Sequence, residues 1–229
     1  MNKQYKCNFN KLKFDAVICL KGNIPNSDFF DKFTDIPLYA ADGAADLLFD
    51  NGVIPDFIIG DLDSYSFRND LNLSGKSKII NEPDQETNDF EKILLFTIGQ
   101  NLANLLIIGF HGGDLEHTLN NWSVYKKFAD KLNLCIYDNG RYGIPLFCTT
   151  SITTEQNEIV SLIPQPACII STHNLKWILK KELLELGIRE GARNVSLGQE
   201  IKIEIHEGSL LCFINHRLPF APEFKLITE

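Results

Sequence analysis

Nowhere does the sequence carry an apolar run approaching the ~20 residues that a membrane-spanning helix needs. It also lacks a surplus of positive charge, the formal net charge being −8. A general binder of nucleic acid or anionic membrane needs a basic face to neutralise phosphates, so both classes are disfavoured. An acidic chain that handles phosphates needs a divalent cation instead. No C-x-x-C pair occurs among Cys7, Cys19, Cys135, Cys148, Cys168 and Cys212. Cysteines scattered through apolar runs read as buried reduced thiols, and a cytoplasmic location follows. The opening MNKQYKCNFNKLKFDAVICL sets Asp15 directly before a short apolar stretch, which is poor grammar for a signal peptide. Also missing are a GxxxxGK P-loop, a GxGxxG fingerprint after a strand, internal repeats, low-complexity tracts and long linkers.

What is present is ordinary globular composition: 229 residues, 44% hydrophobic and 23% charged, enough for one large domain or two small ones. The rhythm divides the chain. Up to about residue 139, short apolar segments alternate with helical stretches: DAVICL then SDFFDKF, PLYAAD then AADLLFDNG, DFIIGD, KIINEP then DFEKILLFTIGQN, NLLIIG then LEHTLNNWSVYKKFADK, and NLCIYD. That alternation predicts an α/β domain over residues 1–139, a parallel sheet with helices on its faces. From 140 to 229 strand-like pieces dominate (NEIVSLIP, ACIIST, EIKIEIHEG, SLLCFINH) and predict an all-β second domain. EIKIEIHEGSLLCFI reads as a hairpin turning at Glu207-Gly208-Ser209, and KKELLELG as a short amphipathic interruption.

In an open parallel sheet, ligands bind beyond the carboxyl ends of the strands. Reading strands to their ends gives Asp42-Gly43, then Asp61 and Asp63, then Asp84 and Asp89, then the loop Gly109-Phe110-His111-Gly112-Gly113. If Asp61-Leu62-Asp63 is extended, both carboxylates face one side. Their mutual repulsion is relieved by a shared cation, and an oxygen-only ligand set favours Mg²⁺. A solvated turn whose aspartates bond their own backbone is the alternative. Asn88 to Glu91 has capping-box spacing, which puts Asp89 in the first turn of a helix, where the macrodipole favours it even without function. Lys92, one turn on, reaches either a phosphate or the Asp89 carboxylate. Amides of the Gly112-Gly113 loop can cradle phosphate oxygens. On the next helix Glu116 and Asn120 share a face, as do His117 and Asn121, although a capping or surface histidine is the commoner case.

Taken in order, DGAADLLFDNG, IPDFIIGDLDS, PDQETNDFEK, GFHGGDLEHTLNN, HNLKW and ARNVS resemble the thiamine pyrophosphokinase family. The corresponding family signatures are approximately DGGAN, PD-x-IIGDxDS, DQDxTD-xxK, GGRxDHxxxN, GLKW and SxSN. The resemblance implies an N-terminal Rossmann-like α/β domain, a C-terminal β-sandwich that binds thiamine, and a homodimer with active sites between subunits. It also implies the reaction, Mg²⁺-dependent transfer of a pyrophosphoryl group from ATP to the hydroxyl of thiamine. Carried onto this chain, it makes Asp61, Asp63 and Asp89 the Mg²⁺ ligands and Glu116 the match of a catalytic-site aspartate. Asp42, Gly43, Gln85, Lys92, Gly112, Gly113 and His117 fall at ATP-binding positions, and Trp177, Asn194 and Ser196 at thiamine-binding ones. Trp177 would cover the cationic thiazolium, or else sit in the core of the β-domain.

The departures are specific. DGAAD stands for DGGAN, QETND for QDxTD, and Asn174 for the glycine of GLKW; in GGDLEH the family's arginine and aspartate are Asp114 and Glu116. Replacing arginine by aspartate removes a cation from a phosphate loop, so Arg68, Lys76, Arg141 or a further Mg²⁺ has to compensate. Two other readings stay open, a related Mg²⁺-dependent pyrophosphoryl- or nucleotidyl-transferase acting on another small alcohol, and a non-catalytic thiamine- or nucleotide-binding homologue.

Overall fold

A computed structural model of the protein describes residues 3–62 and 76–227. The chain forms a mixed α/β fold in two units, one of Lys13–Asn139 and one of Met1–Leu12 with Gly140–Glu229. The first strand, β1 (Gln4–Asn8), therefore does not open the α/β unit as the sequence reading has it. Its backbone partners lie late in the chain, and nothing local in NKQYKCN betrays them.

The α/β unit follows as β2 (Ala16–Cys19), a 3-10 helix (Ser27–Phe33), β3 (Leu38–Ala41), α1 (Asp42–Asp50), β4 (Phe57–Gly60), β5 (Lys78–Asn81), α2 (Asp89–Gly99), β6 (Asn104–Ile108), α3 (Leu115–Phe128) and β7 (Asn133–Asp138). The strands pair in parallel in the order β7-β6-β2-β3-β4-β5. Every residue of β2 and β3 is buried. Strands covered on both faces need continuous apolar runs, which is why AVIC and LYAA show no alternation. Register sets the edge: Cys19 lies beside Ala40 and Ile108, Ala41 beside Ile59, and Gly60 beside Asn81. The residues after each strand thus emerge together. Chain order reverses on either side of β2, so the crevice between the ends of β2 and β6 is the topological switch point.

The other unit has no helix among its described residues. Its strands are β1, β8 (Arg141–Leu146), β9 (Thr149–Thr153), β10 (Ile159–His173), β11 (Glu182–Glu185), β12 (Gly191–Val195), β13 (Glu200–Asn215) and β14 (Glu223–Leu226). β1 lies between β14 and β9, β13 pairs with β9, β8 and β10, and β10 also takes β11 and β12. The expected hairpin at Glu207-Gly208-Ser209 is instead the middle of one 16-residue strand. Gly208 has φ +75° and opposes Cys168 where the register with β10 shifts. A left-handed glycine there makes a bulge that bends the strand without reversing it. KKELLELG likewise contributes β11. Five cysteines are buried, Cys148 is half-buried, and all are free thiols. Among the described residues, no helix is long and apolar enough to cross a membrane.

Candidate functional site

Gly60 ends β4 where the carboxylates gather. A Cβ on it would stand 2.6 Å from the Cβ of Asp42 and 3.0 Å from Oδ1 of Asp89. Only a residue without a side chain lets the start of α1 and the start of α2 close over the end of β4. Asp42, the first residue of α1, is 1% exposed. Asp61 follows Gly60, and the next residue, Leu62, has φ +64°, so the backbone leaves the extended conformation at Leu62. A non-glycine residue held left-handed stores strain of the kind found at functional sites. Asp63 and Arg68 lie outside the described residues.

The helix α2 starts at Asp89 as the capping-box spacing predicts, with Asn88 accepting a bond from the Glu91 amide at 2.9 Å. That cap fixes Asp89 and Lys92 on the turn facing β4. Lys92 is 4% exposed in its side chain, and its ammonium lies 3.5 Å from Asp89 Oδ1 and 3.9 Å from Asp61 Oδ2. Gln85 Nε2 donates to the same Asp61 oxygen at 2.8 Å. Burial pushes the Asp89 carboxyl up to about 6; Lys92 opposes that shift, while Asp42 and Asp61 add to it. Glu91, on the same turn, pairs with Lys127 of α3 and ties the two helices together. Asp84 is engaged elsewhere, accepting bonds from the Glu86 amide and the Thr87 hydroxyl within its own turn.

Across from α2, the loop after β6 winds through Gly109 at φ +64°, Gly112 at φ +111° and Gly113 at φ +69°. It interlocks with the loop after β2: the Leu20 amide donates to Ile108, and the Asn23 amide to His111. Asp114 then caps α3 from an extended conformation, while Asn121 Nδ2 donates to the Phe110 carbonyl at 3.2 Å. Between these walls is a cleft of about 360 Å³, a volume suited to a small-molecule ligand. Of the expected residues, Gly43, Asp61, Gln85, Asp89, Lys92, Gly112, Gly113 and His117 line it; Asp42 lies buried behind Gly60, and Glu116 is exposed on α3 outside the lining. Lys21, Thr87, Asp114 and Asn120 also line the cleft and were not singled out as ligand contacts from sequence.

Among the described residues, no group of three or more histidine, cysteine, aspartate or glutamate side chains is arranged to hold a metal ion. Mg²⁺ needs fewer, since it keeps several waters and binds through one or two carboxylates plus substrate phosphates. Asp61 and Asp89, oxygen donors that both lie within 4 Å of the Lys92 ammonium at the end of β4 and the start of α2, fit that mode.

The three expected thiamine contacts belong to the other unit. Asn174, which stands where GLKW has glycine, has φ +59°, a left-handed conformation that glycine adopts without strain, and it starts the loop that carries Trp177. The indole is 55% exposed, so it is not a core residue, and the Lys176 ammonium lies 4.8 Å from its ring centre. Asn194 is committed to that loop: its Oδ1 accepts from the amides of Trp177 and Val195, and its Nδ2 donates to the Trp177 carbonyl. Ser196 is fully buried, accepting from the Glu158 amide and donating to the Glu155 carbonyl. Both side chains therefore bond to backbone groups of the β-unit. Arg141, named as a compensating cation, likewise donates to the carbonyls of Ile159 and Phe213, and Lys76 lies exposed before β5.

Residues 35–136 match the family model described as thiamin pyrophosphokinase, catalytic domain. The matched segment is similar to the catalytic domain of thiamin pyrophosphokinases. It contains Asp42, Gly60, Asp61, Gln85, Asp89, Lys92 and the glycine loop, so the family match and the cleft coincide. No curated protein sequence matches the chain. Solved structures are similar in fold across most of its length. Yeast thiamin pyrophosphokinase aligns with a TM-score of 0.76 at 19% identity, covering 90% of this chain and 87% of its own. The Candida albicans thiamin pyrophosphokinase gives 0.75 at 15% identity, covering 92% and 98%. The Bacillus subtilis thiamine pyrophosphokinase gives 0.73 at 18% identity, covering 89% and 100%.

Proposed function

We propose that the protein is a thiamine diphosphokinase, transferring a pyrophosphoryl group from ATP to the hydroxyl of thiamine and releasing AMP. The observation that carries this reading is the convergence of Asp61, Asp89 and Gln85 around Lys92, opposite a glycine loop, within the segment that matches the family. In the proposed reaction the thiamine hydroxyl oxygen bonds to the β-phosphorus. The bond from that phosphorus to the oxygen bridging to the α-phosphate breaks, AMP leaves with the electron pair, and the hydroxyl proton is released to water.

Asp61 and Asp89 would hold Mg²⁺, with Asp63 as a further ligand implied by the resemblance. When bound, the ion would neutralise phosphate charge as the bridging oxygen takes up the electron pair. The chain's own residues supply position. Gln85 orients the Asp61 carboxylate, Lys92 holds Asp61 and Asp89 in place, and the amides of Gly112 and Gly113 face phosphate oxygens. In the β-unit, folded as the sandwich that the resemblance implies, Trp177 offers an exposed indole to the thiazolium, and its exposure supports the role. The proposal includes a cytoplasmic homodimer with active sites at the subunit interface, which sedimentation velocity tests for oligomeric state.

The deciding experiment incubates purified protein with ATP, thiamine and Mg²⁺, with and without EDTA, and resolves the products. Thiamine diphosphate and AMP appearing together, only without EDTA, is the expected result. ATP and thiamine recovered unchanged would overturn the proposal. A transferase acting on another small alcohol is the second reading, favoured by the commitment of Asn194 and Ser196 to backbone partners. AMP release that ignores thiamine but responds to another alcohol would select it.

A further inference from the structure

Resting on the proposed use of ATP, we infer that Lys21 is the cation that binds the terminal phosphates, taking over the charge lost where Asp114 stands in the glycine loop. Lys21 follows β2 at the switch point of the sheet. Its side chain lies along the start of α1: a Cβ on Gly43 would stand 2.5 Å from Lys21 Cδ and 3.1 Å from its ammonium. Gly43 thus makes the groove in which the lysine lies, and the ammonium reaches the cleft across it.

The backbone beneath is fixed. Gly22 donates to the Leu20 carbonyl, and its α-carbon abuts the glycine loop so closely that a Cβ would stand 2.2 Å from the His111 carbonyl oxygen. On the far side Gly113 faces the Lys21 carbonyl, 3.8 Å from where its Cβ would be. The glycine loop therefore wraps the residue whose side chain enters the cleft.

Charge decides between the two lysines of the site. Lys92 is buried and lies within 4 Å of both Asp61 and Asp89, so its charge is matched within the protein. Lys21 is exposed, and among the described residues its ammonium makes no ion pair. Asp61, Asp89 and Asp114 also line the cleft, leaving Lys21 as the unmatched cation available to a polyanion. A lysine binds phosphate as a mobile point charge, which suits a group reaching from a neighbouring strand end.

The test is calorimetric binding of ATP and of AMP, in Mg²⁺ buffer, to wild type, Lys21→Ala and Lys21→Arg. Loss of one charge-assisted contact predicts that Lys21→Ala weakens ATP by about tenfold or more. AMP should stay within about twofold because it lacks the terminal phosphates, and Lys21→Arg should recover most of the ATP affinity. A melting temperature equal to wild type would exclude a general structural effect. Lys21→Ala binding ATP like wild type, or losing ATP and AMP alike, overturns the assignment while leaving the proposed reaction intact. Wild type binding no ATP overturns both.

Discussion

Gly60 and Asp42 approach so closely that the carbon missing from the glycine would stand 2.6 Å from the β-carbon of the aspartate. The spacing makes Gly60 a geometric requirement of the acidic edge. Gly60→Ala should cost about 1–3 kcal/mol of stability by overpacking and push α1 and α2 apart at the cleft. A folded variant with turnover lowered at least about a hundredfold is expected, since small misplacements of reacting groups are costly. Turnover near wild type in the product assay would refute this.

Asp89 should make the metal-free protein sensitive to mild acid in an unusual direction. Its carboxyl is raised from 3.8 to about 6, chiefly by burial, against Lys92 and with help from Asp42 and Asp61. A raised carboxyl favours the folded state while protonated, so its contribution is fully present below about pH 4 and is lost as pH rises through about 6. In EDTA, urea titrations of wild type and Asp89→Asn should diverge across that window, the variant being the more stable at pH 8. Parallel curves from pH 4 to 8 would contradict it.

Lys92→Met removes the ammonium that separates Asp61 from Asp89. Two facing carboxylates without their cation should lower the metal-free melting temperature by several degrees. Adding Mg²⁺ should raise the variant's melting temperature by more than it raises that of wild type, because the ion then replaces the missing charge. Equal Mg²⁺ effects on both proteins would argue against Asp61 and Asp89 as its ligands.

Asn194 joins the Trp177 loop to β12 through two hydrogen bonds, one to the Trp177 amide and one to its carbonyl. Asn194→Ala should cost about 1–3 kcal/mol, the penalty of leaving buried backbone groups unmatched, and change the fluorescence of the tryptophans. Unchanged stability with abolished thiamine binding would restore a direct ligand role to this side chain.

Much of the α/β unit was legible because its signals are local. The apolar runs marked β2 to β7, the Asn88 to Glu91 spacing gave the cap of α2, and strand ends gave Asp61 and Asp89. The errors arose where a distant partner decides. Glu207-Gly208-Ser209 has the composition of a turn, and only the shifted register opposite Cys168 shows that it bends one strand. Leu62 is left-handed, which no leucine advertises. Asn194 and Ser196 looked available until the backbone groups at Trp177 and Glu155 were placed against them. Lys21 escaped notice because its meaning lies in Gly43, over which it passes.

The strand β1, residues Gln4–Asn8, sits between β9 and β14, so the β-unit uses the beginning and the end of the chain. On the ribosome, β1 must wait through synthesis of the 127-residue unit Lys13–Asn139 before β9 exists. At 5–20 residues per second that delay is roughly ten seconds. The α/β unit is contiguous and can fold meanwhile, whereas the β-unit cannot complete its pairing until β14 is made. Translation order alone therefore gives the two units different exposure to proteases and chaperones.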